Sequence, residues 1–60
     1  MSENKSTFEV LWHSGYETFQ RTEIEAEAKP EAGEAAQVVA VIEDRNHVDI
    51  NVDAIKKVGA

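Results

Sequence analysis

Phe8, Val10 and Trp12 alternate with Thr7, Glu9, Leu11 and His13. A two-residue period built from aromatic and branched side chains is the mark of a half-buried strand. The same period returns where Thr22, Ile24 and Ala26 alternate with Glu23, Glu25 and Glu27, and where Val48, Ile50 and Val52 alternate with Asp49, Asn51 and Asp53. Three stretches with one dry and one wet face need a common cover for their dry side. The only segment left to supply it lies in residues 30–43.

That segment is read as a helix. Pro30 suits a first helical position, because its missing N–H would be unpaired there anyway. Glu31 and Glu34 then fall in the first turn, where the helix dipole favours negative charge. Ala32, Ala35, Ala36, Val39 and Ile42 form one apolar stripe at helical spacing. Gly33 and the valines of residues 38–42 oppose the helix. The alternative makes residues 37–43 a strand that turns at residues 44–47 into a C-terminal hairpin, giving an all-β chain. The helix is preferred because its start signals and its periodic face agree. The expected architecture is α+β in the order β-β-α-β: a three-stranded sheet with one helix packed on one face. With the helix as a crossover, the last strand lies parallel to the first or the second. Residues 1–6 are expected to form a disordered tail and residues 7–60 a single domain.

Local signals refine this layout. Ser14-Gly15 offers the positive backbone angle of a tight hairpin turn, so the second strand is taken to occupy residues 16–28. Phe19 shares its parity with the glutamates, which places a bulge or twist near residues 19–21.

With 60 residues, a chain buries only about 60% of its unfolded surface and holds a thin core. It lacks the depth for a catalytic cleft with supporting residues behind it. There is no cysteine, which excludes a disulfide framework, a thiolate metal site and a thiol nucleophile. His13 and His47 lack the spacing of a metal-binding pair. Asp49, Asn51 and Asp53 imitate the start of a calcium loop. However, counting Asp49 as its first position, Ala54 and Ala60 stand where that loop needs glycine and glutamate. Glu23, Glu25 and Glu27 are spaced as a solvated strand face, and the glycines are too isolated to form a phosphate loop. No catalytic residue, cofactor or metal is expected, and the chain is not read as an enzyme.

Twelve acidic residues against six basic ones give a formal charge of −6. This balance repels phosphate backbones, so direct nucleic-acid binding is not expected. The longest apolar run, residues 38–42, is far short of the roughly 18–20 residues of a membrane span. The polar opening at residues 1–5 is that expected of a cytoplasmic protein. Carboxylates projecting from a sheet suit a partner protein with a basic or strand-lined surface. The candidate contact residues are Glu23, Glu25, Glu27, Asp49 and Asp53, with Tyr16 and Phe19 as aromatic anchors beside the turn. Open strand edges also allow a homodimer through an edge strand. Trp12 is expected to anchor the core.

The pattern resembles small phage-encoded host-takeover proteins, among them the short early phage inhibitors of host RNA polymerase. The likeness runs over residues 7–58. It rests on Thr7-Phe8-Glu9-Val10, Ile24-Glu25-Ala26-Glu27-Ala28, the alanine-rich residues 32–36, and Val52-Asp53-Ala54-Ile55. It implies a non-enzymatic protein that binds a host protein in the cytoplasm and inhibits or modulates it. In that family, basic residues on the last strand help grip the host enzyme. Here that stretch carries Asp49 and Asp53, with Lys56 and Lys57 at its end. Two other functions fit the same surface: a DNA mimic that blocks a nuclease or restriction system, and a small self-assembling structural subunit.

Overall fold

A computed structural model describes residues 5–59. Its elements are β1 (Ser6–His13), β2 (Gln20–Ala26), α1 (Ala32–Glu43), a single 3-10 turn (His47–Asp49) and β3 (Asn51–Lys57). The strands form one antiparallel sheet in the order β2-β1-β3, with β1 in the centre. The fold is α+β, as the alternation and the helix signals predict. The all-β alternative fails, since residues 37–43 lie inside α1. The crossover through α1 leaves β3 parallel to β2 with β1 between them, while β3 and β1 run antiparallel.

The period of two decides which side chains enter the core. Phe8, Val10 and Trp12 of β1 are buried, as are Thr22 and Ile24 of β2. α1 covers this face with Ala35, Ala36, Val39 and Ala40, and Ile50 closes the end. Trp12, Val10 and Val39 are the largest side chains fully withdrawn from solvent. Three of the four core residues of the helix are alanines, so the helix approaches the sheet closely and the indole of Trp12 fills the space between them.

The buried helical face differs from the expected stripe. Ala32 is exposed and Ile42 is 52% exposed, while Ala40 is buried in their place. The core face therefore runs through Ala35, Ala36, Val39 and Ala40. Positions 40 and 42 lie on opposite sides of a helix, so with small Ala40 turned toward the sheet Ile42 points outward. Val38, Val41 and Ile42 remain exposed on the outer side. The helix also starts later than expected. Glu31, with an extended backbone, is the N-cap and Ala32 the first helical residue, so Pro30 precedes the cap.

Other boundaries move for local reasons. Residues 14–19 are a connection and not the start of β2. Glu17 N–H donates to the Ser14 carbonyl at 2.9 Å, and Gly15 has a φ of +57° within that turn. The turn therefore closes by residue 17, and the chain needs two more residues to reach the sheet. β1 and β2 pair without a break, so the bulge expected near residues 19–21 is absent. The irregularity lies in β3. Leu11 opposes Ala54 and Trp12 opposes Val52, leaving Asp53 as an extra residue. The alternation at residues 48–53 is only partly a strand pattern: Val48 is 68% exposed in the 3-10 turn and Ile50 is buried.

Of the expected tail, residues 1–4 lie outside the described residues, and Ser6 already pairs with Ala26. At the other end, Val58 and Gly59 donate backbone N–H groups to the Thr7 carbonyl at 2.9 and 3.2 Å.

Candidate functional site: the open face of the sheet

Helix α1 covers one face of the sheet. The other face carries the side chains of opposite parity, arranged in rows by the strand register. One row is Glu23, Glu9 and Lys56, and the next is Arg21, Leu11 and Ala54. Glu25 stands across from Thr7, and His13 from Asn51. A shallow depression at the centre is lined by Glu9, Leu11, Arg21, Ala54 and Lys56. Leu11 is half-buried there among charged neighbours.

Two contacts organise the upper end of this face. His13 Nδ1 lies 2.9 Å from Asp53 Oδ2. A carboxylate only accepts, so Nδ1 carries the hydrogen. The bulge brings Asp53 to His13, since the extra residue has no opposite partner of its own. On its other side, the His13 ring meets Phe19 edge to face, with centroids 5.3 Å apart. Phe19 is 63% exposed even so, and presents much of its ring to solvent.

The seven expected contact residues divide by position. Phe19, Glu23, Glu25 and Asp53 belong to the open face or its rim. Tyr16 is fully exposed at the tip of the turn. Glu27 is exposed in a bend beyond the end of β2 and is not part of its wet row. Asp49 is exposed in the 3-10 turn, off the strand, because β3 begins two residues after it. The expected single acidic face is thus broken up.

The open face is also more mixed in charge than the alternation suggests. Arg21 and Lys56 stand among the carboxylates, and Arg21 Nη1 lies 3.8 Å from Glu9 Oε2. Arg21 shares its parity with Glu23 and was legible on that ground. Lys56 was hidden by the bulge, which breaks the parity count at Asp53. Glu23 stands directly across from Glu9, and among the described residues no cation pairs with it.

Beyond this face the chain offers an open depression at the C-terminal end of α1, lined by Gln37, Ala40, Val41, Asp44, Arg45 and His47. Arg45 is held there by Glu17 at 3.3 Å and lies 5.6 Å above the Trp12 ring. No three His, Asp or Glu side chains converge as metal ligands among the described residues. No helix among them is long and apolar enough to cross a membrane. Compared with protein-family models, with curated proteins and with solved structures, the chain finds no match.

Proposed function

We propose that the chain is a small non-enzymatic binding protein that inhibits or modulates an enzyme of its host cell. It docks through the open face of the sheet. The observation that carries this reading is the face itself: uncovered by the helix, it displays Glu9, Arg21 and Lys56 around half-buried Leu11, with Glu25 and Asp53 farther out and Phe19 exposed at the rim. Exposed aromatics supply contact area at low entropic cost, and the surrounding charges select a partner of matching pattern. The pattern resemblance to early phage proteins makes a bacterial RNA polymerase the first target to test.

A DNA mimic has less support, since Arg21 and Lys56 interrupt the carboxylates a nucleic-acid channel would read. The two readings differ in salt dependence. Mimicry predicts binding that falls steeply with salt and is competed away by duplex DNA, whereas docking on the mixed face predicts a mild salt effect and no competition.

The test compares the wild-type chain with two variants in binding to purified polymerase and in inhibition of transcription. The first, F19S/E25K/D53K, alters the open face. The second, V41S, alters the outer side of the helix. Binding lost in the first and kept in the second is the expected result. Equal binding by both rules out docking through the sheet.

A further inference from the structure

The two outer strands of the sheet are not alike. β3 carries the bulge at Asp53 and ends in Lys56 and Lys57, two devices that discourage strand addition. β2 has neither. It pairs with β1 without a break, contains no proline or lysine, and among the described residues its far edge has no neighbour in the sheet. α1 packs nearer to β3 than to β2, which it meets through the Thr22–Glu43 hydrogen bond on the covered face.

The charges on β2 indicate what fits beside it. Glu23 faces Glu9 on the inner side, a like-charge juxtaposition that is unfavourable across a strand pair. A cation on the vacant side of Glu23 would relieve it, and Arg21, 73% exposed and 3.8 Å from Glu9 on its inner side, has room for a second acid on the outer side. A neighbouring strand that places a base opposite Glu23 and an acid opposite Arg21 therefore fits this edge. In an antiparallel pair centred on Thr22, β2 itself meets both demands.

We infer that β2 pairs antiparallel with β2 of a second copy, Thr22 facing Thr22 on the two-fold axis and Arg21 of each copy facing Glu23 of the other. The result is a six-stranded sheet in the order β3-β1-β2-β2-β1-β3. Both helices lie on one side, and both open faces on the other. An isologous contact of this kind closes on itself and does not propagate. It buries a strand edge and not a broad surface, so the dimer is weak and reversible.

The net charge of −6 opposes association at long range. The test is therefore sedimentation equilibrium at about 0.15 M salt, where the Debye length is about 8 Å, over roughly 10 μM to 1 mM protein, the range of weak interfaces. The wild type is expected to dimerise as concentration rises. R21E sets glutamate against Glu23, and E23R sets arginine against Arg21. Each single change replaces two attractive pairs by two repulsive ones and weakens dimerisation on the order of tenfold or more. The double variant R21E/E23R restores the pairing, as does an equimolar mixture of the two single variants. Far-UV circular dichroism checks that each chain is folded. A wild type that stays monomeric over the whole range overturns the inference, and so does a dimer that no charge change affects. Docking by the open face stands or falls separately, because F19S/E25K/D53K leaves Arg21 and Glu23 unchanged.

Discussion

The indole N–H of Trp12 donates to Oγ1 of Thr22 at 2.9 Å, in the buried space between sheet and helix. The Thr22 hydroxyl passes its own hydrogen to Glu43 Oε2, also at 2.9 Å. One chain of hydrogen bonds therefore ties β1 to β2 and β2 to the last turn of α1. Each polar group that the core buries there has a partner. The relay explains why a threonine, and not a valine, occupies the inward parity of β2.

Thr22→Val keeps the shape and removes the hydroxyl. It strands the Trp12 N–H in the core, at a cost of about 1–3 kcal/mol. Thr22→Ser retains the hydroxyl and costs less. Glu43→Ala takes away only the outer acceptor, so its effect is smaller than that of Thr22→Val. Urea unfolding followed by Trp12 fluorescence measures all three, and a Thr22→Val variant as stable as Thr22→Ser contradicts the relay.

The phase of the helix is open to an equally direct check. Val39 is fully buried, whereas Ile42 is half exposed on the outer side. Val39→Ala is expected to cost about 2 kcal/mol, mostly from the cavity it leaves. Ile42→Ala removes a larger side chain and is expected to cost less than about 1 kcal/mol, as surface changes do. The opposite order in thermal melts would place Ile42 in the core and restore the stripe that the sequence suggests.

Two backbone positions hold stability in reserve. Gly33 sits in the second helical position with nothing within 4 Å of where a Cβ would stand. Gly33→Ala is expected to add roughly 0.5–1 kcal/mol. Asp44 ends the helix with a φ of 59°, and its N–H donates to the carbonyls of Ala40 and Val41. Asp44→Gly relieves about 1 kcal/mol of left-handed backbone cost without altering the cap. For a domain of this size, each change corresponds to a rise of roughly 4–8 °C per kcal/mol, read by differential scanning calorimetry. A fall in melting temperature for Asp44→Gly shows that its side chain contributes more than its backbone costs.

The parts of the fold legible in the sequence are those set by a simple period. Phe8, Val10, Trp12, Thr22 and Ile24 fall on the buried side because strand geometry alternates. The helical phase was less legible because alanine and valine occupy several of its faces. With Val38, Val39, Ala40, Val41 and Ile42 in succession, no polar residue marks the wet side. Only the fit against Trp12 decides it. Asp49 was misplaced because a 3-10 turn has no period of its own to announce it. Lys56 escaped because one extra residue at Asp53 reverses every later parity. The open face was therefore readable where its strands are regular and obscured where the backbone departs from alternation.

Asp53 makes the bulge in β3 and also meets His13. Both side chains are about one-third exposed, at 31% for His13 and 35% for Asp53. Water screens such a contact, so Asp53→Ala is expected to change stability by less than about 1 kcal/mol. Deleting Asp53 is a stronger perturbation with a different outcome. With Val52 facing Trp12 and Ala54 facing Leu11, closing the gap leaves a regular register, so the fold is expected to survive. What disappears is the irregularity that guards the β3 edge. The deletion variant is expected to retain its circular dichroism spectrum and to aggregate at a lower concentration than the wild type. Light scattering against concentration measures this. Unchanged solubility would mean that Lys56 and Lys57 protect the edge without the bulge, and a loss of folded structure would mean that the sheet needs its bend.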